Sequence, residues 1–140
     1  MAAFLEVLPS TTASNLDLAH YQDISGFLDK SGTNEECGII HDTKILCTSP
    51  VARDIVLKKL GSVVDSARKE EGTQTFLVLK SLDAEDQVRI FERYKNWDAF
   101  ETHQNMDVLK SFWLSSKDEV KSLEGRTYVP NLKGWLSRLS

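Results

Sequence analysis

The 140-residue chain holds only two cysteines, three prolines and seven glycines. Cys37 and Cys47 are too few for a disulfide framework; a reducing cytosol suits them, and both read as small buried hydrophobes. No apolar run approaches the roughly 20 residues that span a bilayer, so no membrane association is expected. The opening MAAFLEVLPSTT contains Glu6, lacks a basic n-region and has too short an apolar stretch for a secretory signal. A basic surplus is also missing: 17 Lys and Arg stand against 21 Asp and Glu, a net charge of −4. A phosphate-binding surface normally shows a Lys/Arg stripe, so no nucleic acid partner is expected. Absent too are HExxH and CxxC metal spacings, GxGxxG, the P-loop and the GxSxG nucleophile elbow, which argues against a dedicated metal or nucleotide site. Neither repeats nor low-complexity tracts occur. What is present is a chain of single-domain length, 41% hydrophobic and 27% charged, suited to one compact cytoplasmic domain.

Periodicity divides this chain into elements. After an arm over residues 1–14, Asn15 caps a predicted helix carrying Leu16, Ile24, Phe27 and Leu28, with His20 on the same stripe. The loop DKSGTNEE follows, over Asp29 to Glu36. Gly38 to Thr48 reads as a strand stopped by Ser49-Pro50, a pair that also starts a helix. Val56, Leu60, Val63 and Ala67 stripe that helix, and Glu70-Glu71-Gly72 closes it, with Gly72 as a left-handed terminal residue. Thr73 to Leu82 and Gln87 to Tyr94 read as an antiparallel hairpin around the polar turn Asp83 to Asp86. Asn96 caps a helix beginning WDAFETH, and a second helical piece runs from Met106 to Leu114. Beyond the solvated charge run Lys117 to Lys121, Ser122 to Val129 is a last strand, followed by a tail with Trp135 and Leu136. The expected organisation is an arm and helix over residues 1–37, a domain over 38–129 and a tail over 130–140. The expected class is α+β: a ferredoxin-like split βαβ with an antiparallel sheet, plus an extra N-terminal helix. Phe76 and Val78 alternate with Leu77 and Leu79, so both faces of this strand are apolar. One face then packs on helices and the other on a partner, which predicts a homodimer.

The segment from Phe91 to His103, FERYKNWDAFETH, concentrates the chemistry. Alternation groups Ile90, Glu92 and Tyr94 on one strand face. At about 100° per residue, Trp97 and His103 lie roughly 120° apart on the following helix, with Phe100 between them. One arc can therefore present an indole, a phenyl and an imidazole towards the sheet. Each residue also has a structural reading: His103 as a tie between helix and strand, Trp97 and Phe100 as core, Glu92 with Tyr94 as a structural pair. For Arg93 the structural reading is solvent or interface; for His20 and His41 it is packing.

The run ERYxxWDAFETHQ, followed by the apolar Val108, Leu109 and Phe112, resembles the antibiotic biosynthesis monooxygenase (ABM) domain of the dimeric α/β-barrel superfamily. The resemblance covers residues 38–129. It implies a ferredoxin-like protomer pairing into a dimeric barrel, with a pocket between each sheet and its own helices. It also implies oxidation of phenols or anthrones by O2, without metal, flavin or other cofactor, as in aromatic polyketide metabolism. In that reading His103, Trp97 and Tyr94 are catalytic, His103 being the acid/base. Glu92, Arg93, Phe100, His41 and Phe112 then bind or orient the substrate. The first strand carries Asp42 and Lys44 and no Asn, so the Asn–Trp–His set of the haem-degrading branch is incomplete. A non-oxidative polyketide cyclase, dehydratase or decarboxylase and a non-catalytic stress-type binding protein are the alternatives on this scaffold.

Overall fold

The computed structural model describes residues 18–29 and 37–130. Their elements, in chain order, are β1 (Tyr21–Phe27), β2 (Ile39–Cys47), α1 (Pro50–Lys69), β3 (Thr73–Ser81) and β4 (Gln87–Tyr94). α2 (Trp97–Gln104), α3 (Asp107–Ser115) and β5 (Val120–Tyr128) complete the elements of the described residues. The strands form one sheet in the order β1-β3-β4-β2-β5, antiparallel throughout. β2-α1-β3-β4-α2/α3-β5 is the ferredoxin-like unit, and β1 extends its β3 edge.

Local chemistry explains the helix starts. Ser49 is extended, and its hydroxyl accepts from Ala52 N at 3.0 Å, with Pro50 opening α1. Asn96 caps α2 through the Ala99 amide at 2.9 Å. The α1 stripe of Val56, Leu60, Val63 and Ala67 packs on Ile45, Val78 and Val88 in one buried cluster that includes Cys47. Arg53 reaches from α1 to the carbonyls of Ser81 and Ala84, each at 3.0 Å, tying the helix to the β3–β4 turn. Cys37 is half-buried, and both cysteines are free.

Two expectations are corrected. The segment read as an N-terminal helix is the strand β1 over its described part. Its register on β3 slips between Asp23 and Ser25. That bulge breaks the two-residue alternation, so His20, Ile24, Phe27 and Leu28 imitate a helical spacing while pairing with β3 supplies the backbone bonds. Gly26 adopts φ 108, and a Cβ there would sit 2.0 Å from the Phe76 carbonyl oxygen. His20 accordingly lies beside the strand rather than on a helical stripe, exposed, with its amide on Asp83 at 2.6 Å. β1 shares one sheet with the strands of residues 39–128. The second correction is Gly72, which has no positive φ. Its lack of a side chain serves close approach instead: a Cβ there would lie 2.4 Å from the Ala99 Cβ of α2. Asn15, Leu16, the arm, most of the DKSGTNEE loop, and Trp135 and Leu136 lie outside the described residues. No described helix is long and apolar enough to cross a membrane.

Candidate active site

Alternation along β4 points Val88, Ile90, Glu92 and Tyr94 to the helix-covered face, all buried, and Arg89, Phe91 and Arg93 to the other. The first two sit in the core shared with α1. The last two sit where α2 and α3 cross the sheet, Tyr94 against the Phe100 ring. Bare Gly72 lets the first turn of α2 settle against the α1–β3 turn, and Lys95 N donates to the Gly72 carbonyl at 2.9 Å. That seating carries His103 into the interior, where it is 1% exposed.

There His103 lies between two carboxylates. Its Nδ1 is 3.0 Å from both Glu70 oxygens, and its Nε2 is 3.7 Å from Glu92 Oε1. Thr73 Oγ1 holds Glu70 Oε1 at 3.2 Å, while the Tyr94 hydroxyl donates to Glu92 Oε1. The rings of Phe76 and Tyr94 flank the imidazole, with centroids at 5.3 and 5.4 Å. Burial pushes the Glu92 carboxyl up to about 7; nearby His103 and the Tyr94 hydrogen bond oppose that rise, and the charges of Glu70 and Asp42 add to it. The Tyr94 phenol is held well above its usual range by burial and by Glu92, so it stays a hydrogen-bond donor. Glu92 is therefore a carboxyl that exchanges its proton near neutrality, with an imidazole beside it.

A cavity of about 120 Å³ opens on this pair. β2 supplies His41 and Thr43, β3 Phe76, and β4 Ile90 and Glu92. α2 contributes His103 and Gln104, α3 Leu109 and Trp113, and the exposed strand β5 Leu123 and Gly125. His41 bonds Thr127 Oγ1 through Nδ1 at 3.0 Å; its pKa is lowered by burial first and by His103, with Asp42 opposing. A Cβ at Gly125 would come within 3.2 Å of the His41 ring.

The structure thus brings His103, Glu92 and His41 to one cavity, with Tyr94 directly behind Glu92. Phe100 lies beside it, its ring 5.0 Å from His41 and 5.4 Å from Tyr94. Three other sequence candidates lie elsewhere. Trp97 is 51% exposed, its indole N–H donating to Glu101 at 2.7 Å within α2, so it does not line the cavity. Arg93 points to the opposite sheet face and donates to Thr75 Oγ1 at 3.2 Å. Phe112 belongs to the buried core beside Trp113. Asp42 and Lys44 also occupy that opposite face, where Asp42 accepts from Arg89 Nη2 at 2.8 Å and Nε at 3.2 Å. Sequence reasoning missed Glu70, which it read as a helix terminator. Its partner is 33 residues away, and no local spacing signals such a pair. Leu123 and Gly125 were likewise invisible before their register on Ile45 and Thr43 was known. Among the described residues, no group of three or more His, Cys, Asp or Glu is placed to hold a metal.

The fold is shared with solved structures of low identity. One is a protein from Shewanella oneidensis (18% identity, TM-score 0.62), covering 78% of this chain and 95% of its own. A second is from Mycobacterium tuberculosis (17%, TM-score 0.60; 66% and 93% covered). A third is from Nitrosomonas europaea (14%, TM-score 0.62; 66% and 98% covered) and is described as a candidate antibiotic biosynthesis monooxygenase. No curated protein is significantly similar in sequence. The antibiotic biosynthesis monooxygenase family model matches residues 47–113, from the end of β2 through α3, and so spans Glu70, Glu92 and His103. Over that stretch this chain is similar to the antibiotic biosynthesis monooxygenase family.

Proposed function

We propose that this protein is a cofactor-independent oxygenase acting on an electron-rich phenol, hydroquinone or anthrone in secondary metabolism, with the deprotonated substrate reducing O2. The observation that carries this reading is the buried Glu92–His103 pair at the cavity. Glu92 takes a proton from the substrate O–H or acidic C–H and shares it with His103 Nε2. The resulting phenolate or carbanion transfers its electrons to O2. For an anthrone the CH2 becomes C=O: one oxygen atom enters the product, and the other leaves as water with both CH2 hydrogens. The N–H of His41 or the Gln104 amide lies at the same cavity to meet the developing negative charge. At about 120 Å³ the cavity is smaller than the roughly 300–1,000 Å³ of sites for drug-sized ligands. It holds the reacting ring, and the rest of a fused substrate extends past Leu123 and Gly125.

The same groups serve a non-oxidative cyclase, dehydratase or decarboxylase, because the titratable side chains at the cavity are proton carriers. Oxygen uptake separates the readings. With anthrone and a panel of hydroquinones, the oxygenase consumes O2 in proportion to product, and His103→Ala lowers the rate about 10²–10⁴-fold. Turnover that is unchanged without O2 establishes the non-oxidative reading; ligand binding with no product under either gas establishes a binding protein.

The reading includes a cytoplasmic homodimer. Ile40, Leu77, Leu79 and Phe91 lie half-buried on the sheet face that no described helix covers, and a second copy would cover them. Light scattering should give twice the chain mass, and Phe91→Glu should halve it; a monomeric wild type overturns this part.

A further inference from the structure

We propose that Glu70 is a positioning residue for His103: its carboxylate accepts the imidazole Nδ1–H and so fixes the tautomer whose bare Nε2 faces Glu92. The proposal rests on the function read above and goes beyond it, naming the group that orients the imidazole beside the proposed base Glu92.

An ionised carboxylate only accepts hydrogen bonds. His103 Nδ1 lies 3.0 Å from both oxygens of Glu70, so the ring proton resides on Nδ1. The Nε2 lone pair then points at Glu92 Oε1, 3.7 Å away, ready to receive the proton Glu92 takes up. The opposite tautomer would set a bare Nδ1 against a carboxylate and a second N–H against the carboxyl that must pass its proton on. Glu70 is itself fixed. It caps α1 with its amide on the Ala67 carbonyl at 3.1 Å, and Thr73 Oγ1 meets its Oε1 at 3.2 Å. The groups facing His103 from the packed elements are Glu70 at the end of α1, Glu92 and Tyr94 on β4, and His41 on β2; Phe76 faces it from β3. Glu70 is the member of that set bonded to Nδ1.

The test reads the tautomer directly and does not depend on turnover. In the full chain, ¹⁵N-histidine correlation spectra at pH 8 should show one imidazole, lost in His103→Gln, protonated at Nδ1 and bare at Nε2. Glu70→Ala should abolish that preference, lower kcat about 10-fold or more with a smaller change in KM, and move the alkaline-rising limb of the pH–rate profile to lower pH. Glu70→Gln keeps a carbonyl acceptor, so it should restore the tautomer and most of kcat while the limb stays displaced. An Nε2-protonated ring in the wild type overturns the proposal, as does a Glu70→Ala protein with tautomer and limb unchanged. If Glu70→Ala does not fold, the wild-type tautomer and the Glu70→Gln profile decide. If the tautomer is as stated and no substrate turns over, the oxygenase reading fails and the role of Glu70 in fixing His103 stands.

Discussion

Two halves of the same sheet face are built from opposite materials. Under the 20-residue α1 the sheet presents Ile45, Val78 and Val88, sealed by a single apolar stripe. Under the short α2 and α3 it presents Glu92, Tyr94, Thr43 and His41, with His103 descending from above. One half gains stability from burial. The other accepts the cost of a buried carboxyl and retains a cavity, and what it gains is a proton carrier near neutrality. β4 runs through both, Val88 and Ile90 at one end and Glu92 and Tyr94 at the other, so a single strand joins core to site.

The largest break in this contrast comes from the apolar half. Leu60 is fully buried in the cluster, and Leu60→Ala should cost about 2–5 kcal/mol in denaturant unfolding while O2 uptake per folded molecule is retained. Glu92→Gln should do the reverse. The folded-state Glu92 pKa of about 7 lies above the ordinary carboxyl value of 4.5. The wild type therefore holds this contribution fully below pH 4.5 and loses it as pH rises through 7, roughly 3 kcal/mol in all. The amide variant should match the wild type at pH 4, exceed it at pH 8, and lose turnover at both. Gly72→Ala sharpens the boundary between the halves. The added Cβ meets Ala99, so about 1–3 kcal/mol of stability should go, and the His103 Nδ1–H should lose its protection in hydrogen exchange. The smallest effect is expected at Trp97→Phe. An exposed indole bonded within its own helix should change stability by less than about 0.5 kcal/mol and leave the uptake rate within twofold.

Local signals made most of the fold legible. Ser49-Pro50, Asn96 and the two-residue alternation of QVRIFERY each set an element to within a residue or two. β1 escaped because a bulge disguised its period, and Gly72 because a glycine after a helix looks the same whether it supplies a positive φ or room for Ala99. At the site, Glu92 and His103 were legible from one contiguous segment. Glu70 and Gly125 were not, since each meets its histidine only through tertiary packing: one at the end of a helix, the other on a paired strand. Trp97 illustrates the opposite difficulty: helical spacing put it on an arc with His103, but the first turn of α2 faces solvent there.

The central claim is that the buried Glu92 carboxyl, with His103 beside it, exchanges its proton near neutral pH. Carboxyl ¹³C titration of the glutamate side chains tests it most directly. The account predicts one carboxyl with a midpoint near 7, absent in Glu92→Gln and displaced in His103→Ala; a spectrum in which every glutamate has ionised by pH 5 would contradict it.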